Sequence, residues 1–334
     1  MFLAVGDART LCACEDPALA LAAQDFTLTK RSSRPIRRFE VIVQTLSYAP
    51  ASAPPKIEIP ASARKPWALS QLPAFPPVAS RLLSLLSKSD VGFREITALI
   101  LSDPAIAAEV LRMANSPLFA AKNSIGNVLQ AVALLGSDRV KGIACTVAIK
   151  NYMRNALKSP MLSRCWSHSL ATAVITSEIG QISMLDAGAC YTAGLLHDIG
   201  RLMLIAAYPK PYTNLLAVCT DFSLPLLQAE RDIFDIDHCE AGLAMASEWN
   251  LPAELRDSIA DHHRPFGGGV LDVKGAVHFA CRLADSTGFG ASAIKSQPPD
   301  EVVAELPEWE RERLKPNWEQ FKQLIASRIA SLSG

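Results

Sequence analysis

From Leu72 to the end of this chain, helix start and stop signals follow one another so closely that a sheet has almost no room to form. Asp103 and Pro104 are an N-cap and first-turn pair, and the apolar periodicity of "AIAAEVLRMAN" follows them and ends at Asn115. Alternation of apolar and polar residues, which marks half-buried strands, is nearly absent. The pattern predicts an all-α fold.

Further boundaries divide the first part of this region into helices with short connections, over residues 74–155. Ser124 and Ser137 are predicted N-caps, and Gly136 is a predicted C-cap. The last segment has an amphipathic spacing and is expected to pack back on the bundle through one apolar face. That face carries Phe321, Leu324, Ile325 and Ile329.

Composition changes near residue 66, and we expect three parts. Residues 1–66 have weak periodicity, a Pro/Ala/Ser-rich stretch and one candidate strand, "FEVIVQTL", so we predict a poorly ordered extension. The basic run at 30–38 lacks aromatic residues and a helical face, which favours a solvated tail over a nucleic-acid contact. Residues 67–157 and 158–330 are two predicted helical subdomains of one domain.

The charge balance is neutral, with 33 basic and 33 acidic residues, so no overall field draws the molecule to nucleic acid or an acidic membrane. No window has the roughly 18 uninterrupted apolar residues of a membrane span, and acidic residues stand where a signal peptide is basic. We therefore expect a cytoplasmic protein with no membrane insertion. Six cysteines lie singly in apolar helical stretches, which indicates buried, reduced thiols. They are Cys145, Cys165, Cys190, Cys219, Cys239 and Cys281.

All histidines of the chain lie in the second helical group, at His168, His197, His238, His262, His263 and His278. Asp198 and Asp285 complete an ordered set of imidazoles and carboxylates on successive predicted helices. This is the ligand set of a divalent metal such as Fe, Mn, Zn or Mg, and it is compatible with metal-assisted hydrolysis of a phosphate ester. Any one histidine alone is more often a hydrogen-bonded core or surface residue, so both interpretations stay open.

His197 and Asp198 stand side by side in an apolar run, residues 187–206, which predicts one buried helix. Two adjacent ligand-type side chains are costly to bury without partners. On a helix they diverge by about 100°, so both reach one metal only where other helices converge on them. The pair is therefore the centre of the candidate site.

Residues 72 to about 330 resemble the HDOD domain, the HD-related output domain of bacterial signalling proteins. Six phrases in order carry the resemblance: "LPAFPPVASRLLSLL", "ITALILSDPAIAAEVLRMANSPLF", "SIGNVLQAVALLG", "WSHSLATA", "AGLLHDIGRLML" and "ADHHRP". The resemblance implies an N-terminal helical bundle packed on an HD-type helical domain. It also implies a regulatory or output module, since members of this family have no established enzymatic activity.

The resemblance also implies a ligand set. The simple HD metal pattern falls on His168, His197, Asp198 and Asp285. The additional histidines of dinuclear relatives such as HD-GYP phosphodiesterases match His238, His262 and His263. This chain thus keeps more ligand positions than its family would lead one to expect.

Three arginines depart from the patterns of these relatives. Arg164 stands where HD-GYP enzymes with a larger cluster place a glutamate, Arg201 replaces the lysine of HD-x-G-K, and Arg264 replaces an acidic residue in a loop without "GYP". A cation at these places repels a metal and can hold a phosphate, so Arg201 and Arg264 are candidate phosphate contacts of a nucleotide ligand. The alternative, an exposed or ion-paired arginine, is more common and stays open.

We therefore predict a signal-transduction output module that acts through a signalling protein partner, with a divalent metal or nucleotide site in its HD-like core. The alternative is a metal-dependent phosphohydrolase acting on a nucleotide or another phosphoester. The ligand order supports this alternative, and the three arginines and the lost loop oppose it. We single out no catalytic residue.

Overall fold

The computed structural model describes residues 68–69, 81, 85, 92–115, 124–153, 159–291, 296–314 and 317–333. These residues form helices and connecting turns without a strand, which confirms the all-α prediction for this part of the chain. The predicted extension at 1–66, its candidate strand and its basic run lie outside the described residues.

The first described helices are α1 (Phe93–Leu101), α2 (Pro104–Ala114), α3 (Val128–Leu135) and α4 (Ser137–Tyr152). The Asp103 side chain accepts hydrogen bonds from the backbone N–H groups of Ala105 and Ile106, which confirms it as the N-cap of α2. Asn115 ends that helix, as predicted.

Two predicted N-caps are wrong. Asn127, not Ser124, caps α3, because its side chain accepts the N–H of Gln130. Gly136 is the C-cap of α3, as predicted, with a φ of 86° in the region that favours glycine. The same residue directly precedes α4, so Ser137 is already the first helical residue and has no extended position from which to cap.

The second group begins with α5 and ends with a short π-helical turn. Its elements are α5 (Pro160–Ile182), α6 (Ala187–Leu196), α7 (Ile199–Ala207), α8 (Pro209–Phe222), α9 (Leu226–Phe234), α10 (His238–Glu248), α11 (Ala253–Asp261), α12 (Val273–Ala284) and the turn Asp285–Phe289. Helix α5 packs on α6 and α12, and α10 packs on α7 and α11. These contacts bring the ends of several helices to one buried centre.

The predicted single helix over 187–206 is broken in the structure. Helix α6 ends at Leu196, α7 begins at Ile199, and His197 and Asp198 form the turn between them. Asp198 has a φ of −102° and a ψ of 18°, outside helical geometry. The apolar pattern predicted one helix because the pattern continues on both sides of this short turn. The two polar side chains of the turn are buried like their apolar neighbours.

Glycines allow the helices around this turn to approach backbone to backbone. A Cβ at Gly194 would lie 2.8 Å from Ala173 Cα on α5, and a Cβ at Gly200 would lie 2.0 Å from the carbonyl oxygen of His238. Only hydrogen fits in such gaps, so these positions fix how closely α6 approaches α5 and α7 approaches α10.

The C-terminal segment forms α13 (Pro299–Ala304), α14 (Glu308–Arg313) and α15 (Trp318–Ser333). Helix α15 packs on α5, as predicted, and Arg328 forms an ion pair with Glu178. Phe321, Ile325 and Ile329 are buried, whereas Leu324 is 42% exposed, so the predicted apolar face is narrower than expected.

Two further expectations concern the whole described region. The six cysteines are all buried and free, which confirms that they form no disulfide framework. Across the described helices, none has the length and apolar character that a membrane crossing requires.

Candidate metal centre

Three buried imidazoles at the centre have their orientation fixed by backbone carbonyl groups. The Nδ1–H of His197 donates to the Gly194 carbonyl oxygen at 2.7 Å, and that of His262 donates to the Ile259 oxygen at 2.9 Å. Both rings close on the carbonyl three residues earlier, at the ends of α6 and α11, where helix carbonyls lack an intrahelical donor. His168 Nδ1 lies 3.0 Å from the Phe289 carbonyl oxygen.

A carbonyl oxygen can only accept, so each of these rings carries its proton on Nδ1 and turns Nε2 inward. The inward Nε2 atoms of His168 and His197 lie 3.3 Å apart. Burial lowers the pKa of His197 well below its ordinary value, so that ring is neutral. The Nε2 lone pair of His197 therefore points at His168 Nε2, and a proton or a metal cation between the two nitrogens would satisfy it.

Asp198 adds a carboxylate to the same centre. Its Oδ2 lies 3.9 Å from the Nε2 atoms of both His168 and His197, and its Oδ1 lies 3.5 Å from His262 Nε2. Both oxygens are buried, and neither accepts a geometrically sound hydrogen bond from the described residues. A buried carboxylate is costly without a compensating cation beside it.

Arg201 supplies one positive charge beside the carboxylate. Its Nη1 lies 3.0 Å from Asp198 Oδ2, its Nη2 lies 3.1 Å from His238 Nε2, and the side chain is almost fully buried. Burial alone would raise the pKa of Asp198, but the Arg201 guanidinium holds it well below its ordinary value. Asp198 is thus ionised and paired on one side.

A guanidinium can only donate, so the contact with Arg201 makes His238 Nε2 an acceptor. The other side of this ring is held by Glu230, whose Oε2 lies 2.7 Å from His238 Nδ1 and also accepts the backbone N–H of His238 at 2.9 Å. The Tyr212 hydroxyl donates to the second oxygen of Glu230. Glu230 and Tyr212, which the sequence did not single out, therefore fix His238 against Arg201.

The remaining predicted ligands lie at the edges of the centre. His263 is exposed, and its Nε2 lies 3.0 Å from His238 Nε2. Asp285 approaches the outer side of the His168 ring, with Oδ1 3.4 Å from Nδ1, and its side chain is 41% exposed. Asp285 therefore does not face the point on which Asp198 and the inward nitrogens converge.

Two thiols that the sequence did not suggest as ligands contact the centre. Cys281 Sγ lies 3.6 Å from His168 Nε2, one helical turn before Asp285 on α12. Cys239 Sγ lies 3.9 Å from His262 Nδ1, in a group with His238 and His263. Cys281 and Asp285 are four residues apart, a spacing that predicts one shared helix face. Which of the two side chains points inward is decided only by the packing of the neighbouring helices.

The two arginines predicted to contact phosphate lie in different environments. Arg201 is buried against Asp198, whereas the Arg264 side chain is 79% exposed and its Nε lies 3.0 Å from Asp261 Oδ1. Arg264 borders a surface groove with Lys274 and His278. His278 Nδ1 contacts the His262 carbonyl oxygen at 2.8 Å, so this sixth histidine lies outside the centre.

We expect Glu230→Gln to lower the free energy of unfolding by about 1–3 kcal/mol. A glutamine amide has one accepting oxygen, so it cannot accept hydrogen bonds from both His238 and Tyr212 as the two carboxylate oxygens do. Denaturant unfolding of the metal-free protein measures the change. Glu312→Gln, the same exchange at an exposed position of α14, is the control and should change little. Equal stability of Glu230→Gln and the wild type would show that Glu230 does not hold His238.

Comparison with known proteins identifies a family and similar folds. The family model of the HDOD domain matches residues 72–265. An HDOD domain protein of unknown function from Geobacter sulfurreducens has a similar solved structure, with a TM-score of 0.61 and 27% identity over 78% of this chain and 90% of that one.

Two further matches are more distant. A structure from Marinobacter aquaeolei VT8, provisionally assigned to signal transduction, shares the fold with a TM-score of 0.62 and 20% identity over 90% of this chain and 67% of that one. An uncharacterized protein of Treponema pallidum (strain Nichols) is 24% identical over 193 residues, 56% of this chain. The match spans only 37% of that relative's length.

Proposed function

We propose that this chain, which belongs to the HDOD domain family, is a signalling module that acts on a protein partner. We also propose that it holds one divalent metal ion in its buried centre. The family match supports the signalling role, and the Marinobacter structure shares its fold. The metal would be held by His168, His197 and Asp198, with His262 directed at the other oxygen of the carboxylate.

One observation carries the metal proposal. The inward Nε2 atoms of His168 and His197 lie 3.3 Å apart beside a buried carboxylate that lacks sound hydrogen bonds. Among protein-bound groups, a divalent cation satisfies imidazole lone pairs and a carboxylate at once. A bound ion would neutralise Asp198 and tie α5 to the turn between α6 and α7, which makes it a structural or sensory element.

Two features favour regulation over turnover. His168, His197 and Asp198 are each at most 1% exposed, so a phosphoester has no direct access to them. Arg201 contacts both Asp198 Oδ2 and His238 Nε2, and its permanent charge repels a second ion beside His238. A dinuclear centre of the kind that hydrolyses phosphodiesters is therefore disfavoured.

The alternative function, a metal-dependent phosphohydrolase, has one observation in its favour. His263 is exposed and contacts His238, so solvent reaches the edge of the cluster. A bound metal would supply Lewis acidity for such a reaction. Turnover of phosphomonoesters or cyclic dinucleotides by the metal-loaded protein, abolished by His197→Ala, would favour this alternative. A nucleotide ligand at Arg264 stays a prediction.

Elemental analysis tests the metal proposal. Protein purified without a metal-affinity tag is expected to carry about one equivalent of Fe, Mn or Zn, and His197→Ala is expected to lose it. His278→Ala is the matched control, because this ring contacts the His262 carbonyl and Arg282 but does not face the centre. Metal-free wild-type protein that also fails to take up added metal would refute the site.

A further inference from the structure

Cys281 lies where a ligand of the proposed metal ion would lie. Its Sγ is 3.6 Å from His168 Nε2, which is itself 3.3 Å from His197 Nε2. One donor atom from each of the three residues falls within 4.8 Å of the other two, and all three residues are buried. They come from α12, α5 and the turn after α6, so the tertiary fold alone brings them together.

These separations match the edges of a tetrahedral metal site. With Zn–N bonds of about 2.0–2.1 Å and Zn–S bonds of about 2.3 Å, tetrahedral geometry separates two nitrogens by about 3.3 Å and a nitrogen from a sulfur by about 3.6 Å. The observed values are 3.3 Å and 3.6 Å. Asp198 Oδ2 lies beside this group of three donors, 3.9 Å from both imidazole nitrogens and 3.0 Å from Arg201 Nη1.

We propose that Cys281 is a thiolate ligand of this ion, which makes the centre a mixed nitrogen, sulfur and oxygen site that selects Zn²⁺ or Fe²⁺ over Mg²⁺. The inference rests on the metal-binding function proposed above. Thiolate and imidazole are ligands for borderline metals, whereas Mg²⁺ prefers oxygen. On binding, the Cys281 thiol proton is released to solvent and the sulfur lone pair forms the bond to the metal.

A thiol–imidazole hydrogen bond explains the contacts less completely. If the Cys281 S–H donated to His168 Nε2, it would satisfy that nitrogen. The lone pair of His197 Nε2 would still point at His168 Nε2 without a donor. The second thiol, Cys239, belongs with His238, His262 and His263, and its group does not include His168. The geometry therefore assigns the sulfur to Cys281.

Cobalt substitution tests the assignment. Full-length protein, freed of metal, is titrated with Co²⁺ under reducing conditions in the wild type and in Cys281→Ser, Cys281→Asp and Cys239→Ser. We expect an intense thiolate-to-cobalt charge-transfer band in the wild type and in Cys239→Ser. Both Cys281 variants should lose the band. Cys281→Asp should still bind cobalt through its carboxylate, which separates loss of the sulfur ligand from loss of the fold.

X-ray absorption of the zinc form gives a second readout, with a sulfur neighbour expected at about 2.3 Å in the wild type and none in Cys281→Asp. Wild-type protein that binds about one equivalent of cobalt without a charge-transfer band would overturn the thiolate assignment and leave the proposed metal site intact. A band lost in Cys239→Ser and kept in Cys281→Asp would also overturn it. Failure of all forms to bind any metal would refute both proposals.

Discussion

Arg201→Met is expected to lower the free energy of unfolding of the metal-free protein by about 3–5 kcal/mol, because it leaves a buried carboxylate without its cation. In the wild type, Arg201 Nη1 lies 3.0 Å from Asp198 Oδ2, and both side chains are buried. Methionine fills a similar volume but carries no charge, so Asp198 must take up a proton or remain unpaired. Denaturant unfolding of metal-free protein measures the loss.

Divalent metal should restore part of this loss, because a bound ion supplies the missing charge to Asp198. The expected signature is a larger stabilisation by Zn²⁺ in Arg201→Met than in the wild type. Arg264→Met is the control: its exposed side chain should change stability by no more than about 0.5 kcal/mol. If Arg201→Met is as stable as the wild type without metal, Asp198 does not depend on the guanidinium.

Gly200→Ala is expected to cost about 3 kcal/mol or more, because an alanine Cβ has no room between α7 and α10. The added atom would lie 2.0 Å from the His238 carbonyl oxygen and 2.4 Å from the Gly242 nitrogen, both backbone atoms that cannot turn aside. The helices must move apart, and Asp198, which directly precedes α7, moves with them. Thermal unfolding and metal content should therefore fall together.

Gly267→Ala is the matched control for this substitution. A Cβ at Gly267 would meet no atom within 4 Å, and the φ angle of Gly267 lies outside the left-handed region that disfavours other residues. We expect its stability to stay within about 0.5 kcal/mol of the wild type, with full metal content. Gly200→Ala protein with wild-type stability would mean that α7 and α10 are not held in backbone contact.

Much of the fold could be predicted from local sequence signals. The Asp103–Pro104 pair, the stop at Asn115 and the C-cap at Gly136 act within one or two helical turns, so the chemistry of neighbouring residues determines them. Ser124 and Ser137 failed as predicted N-caps because nearby residues competed for the same helix ends. The choice between such competitors depends on a backbone geometry that spacing does not specify.

The candidate site was predictable in kind but not in arrangement. His168, His197, Asp198 and His262 were singled out by residue type and order, and their inward atoms converge. Asp285 was placed in the same set, and the structure turns it to the outer nitrogen of His168. Cys281, four residues earlier in the last turn of α12, contacts the inner nitrogen. Spacing gives the helix face, but the rotation of α12 is set by its packing.

The sequence by itself determined that the chain is helical, where several of its helices begin and end, and which side chains carry the chemistry, because these depend on residue type and short-range spacing. Only the tertiary structure decided the break at His197 and Asp198, the burial of Arg201 against the carboxylate and the approach of Cys281 to His168. The first two lie within one short segment but depend on the helices packed around it, and the third joins α12 to α5, whose separation is fixed by their packing.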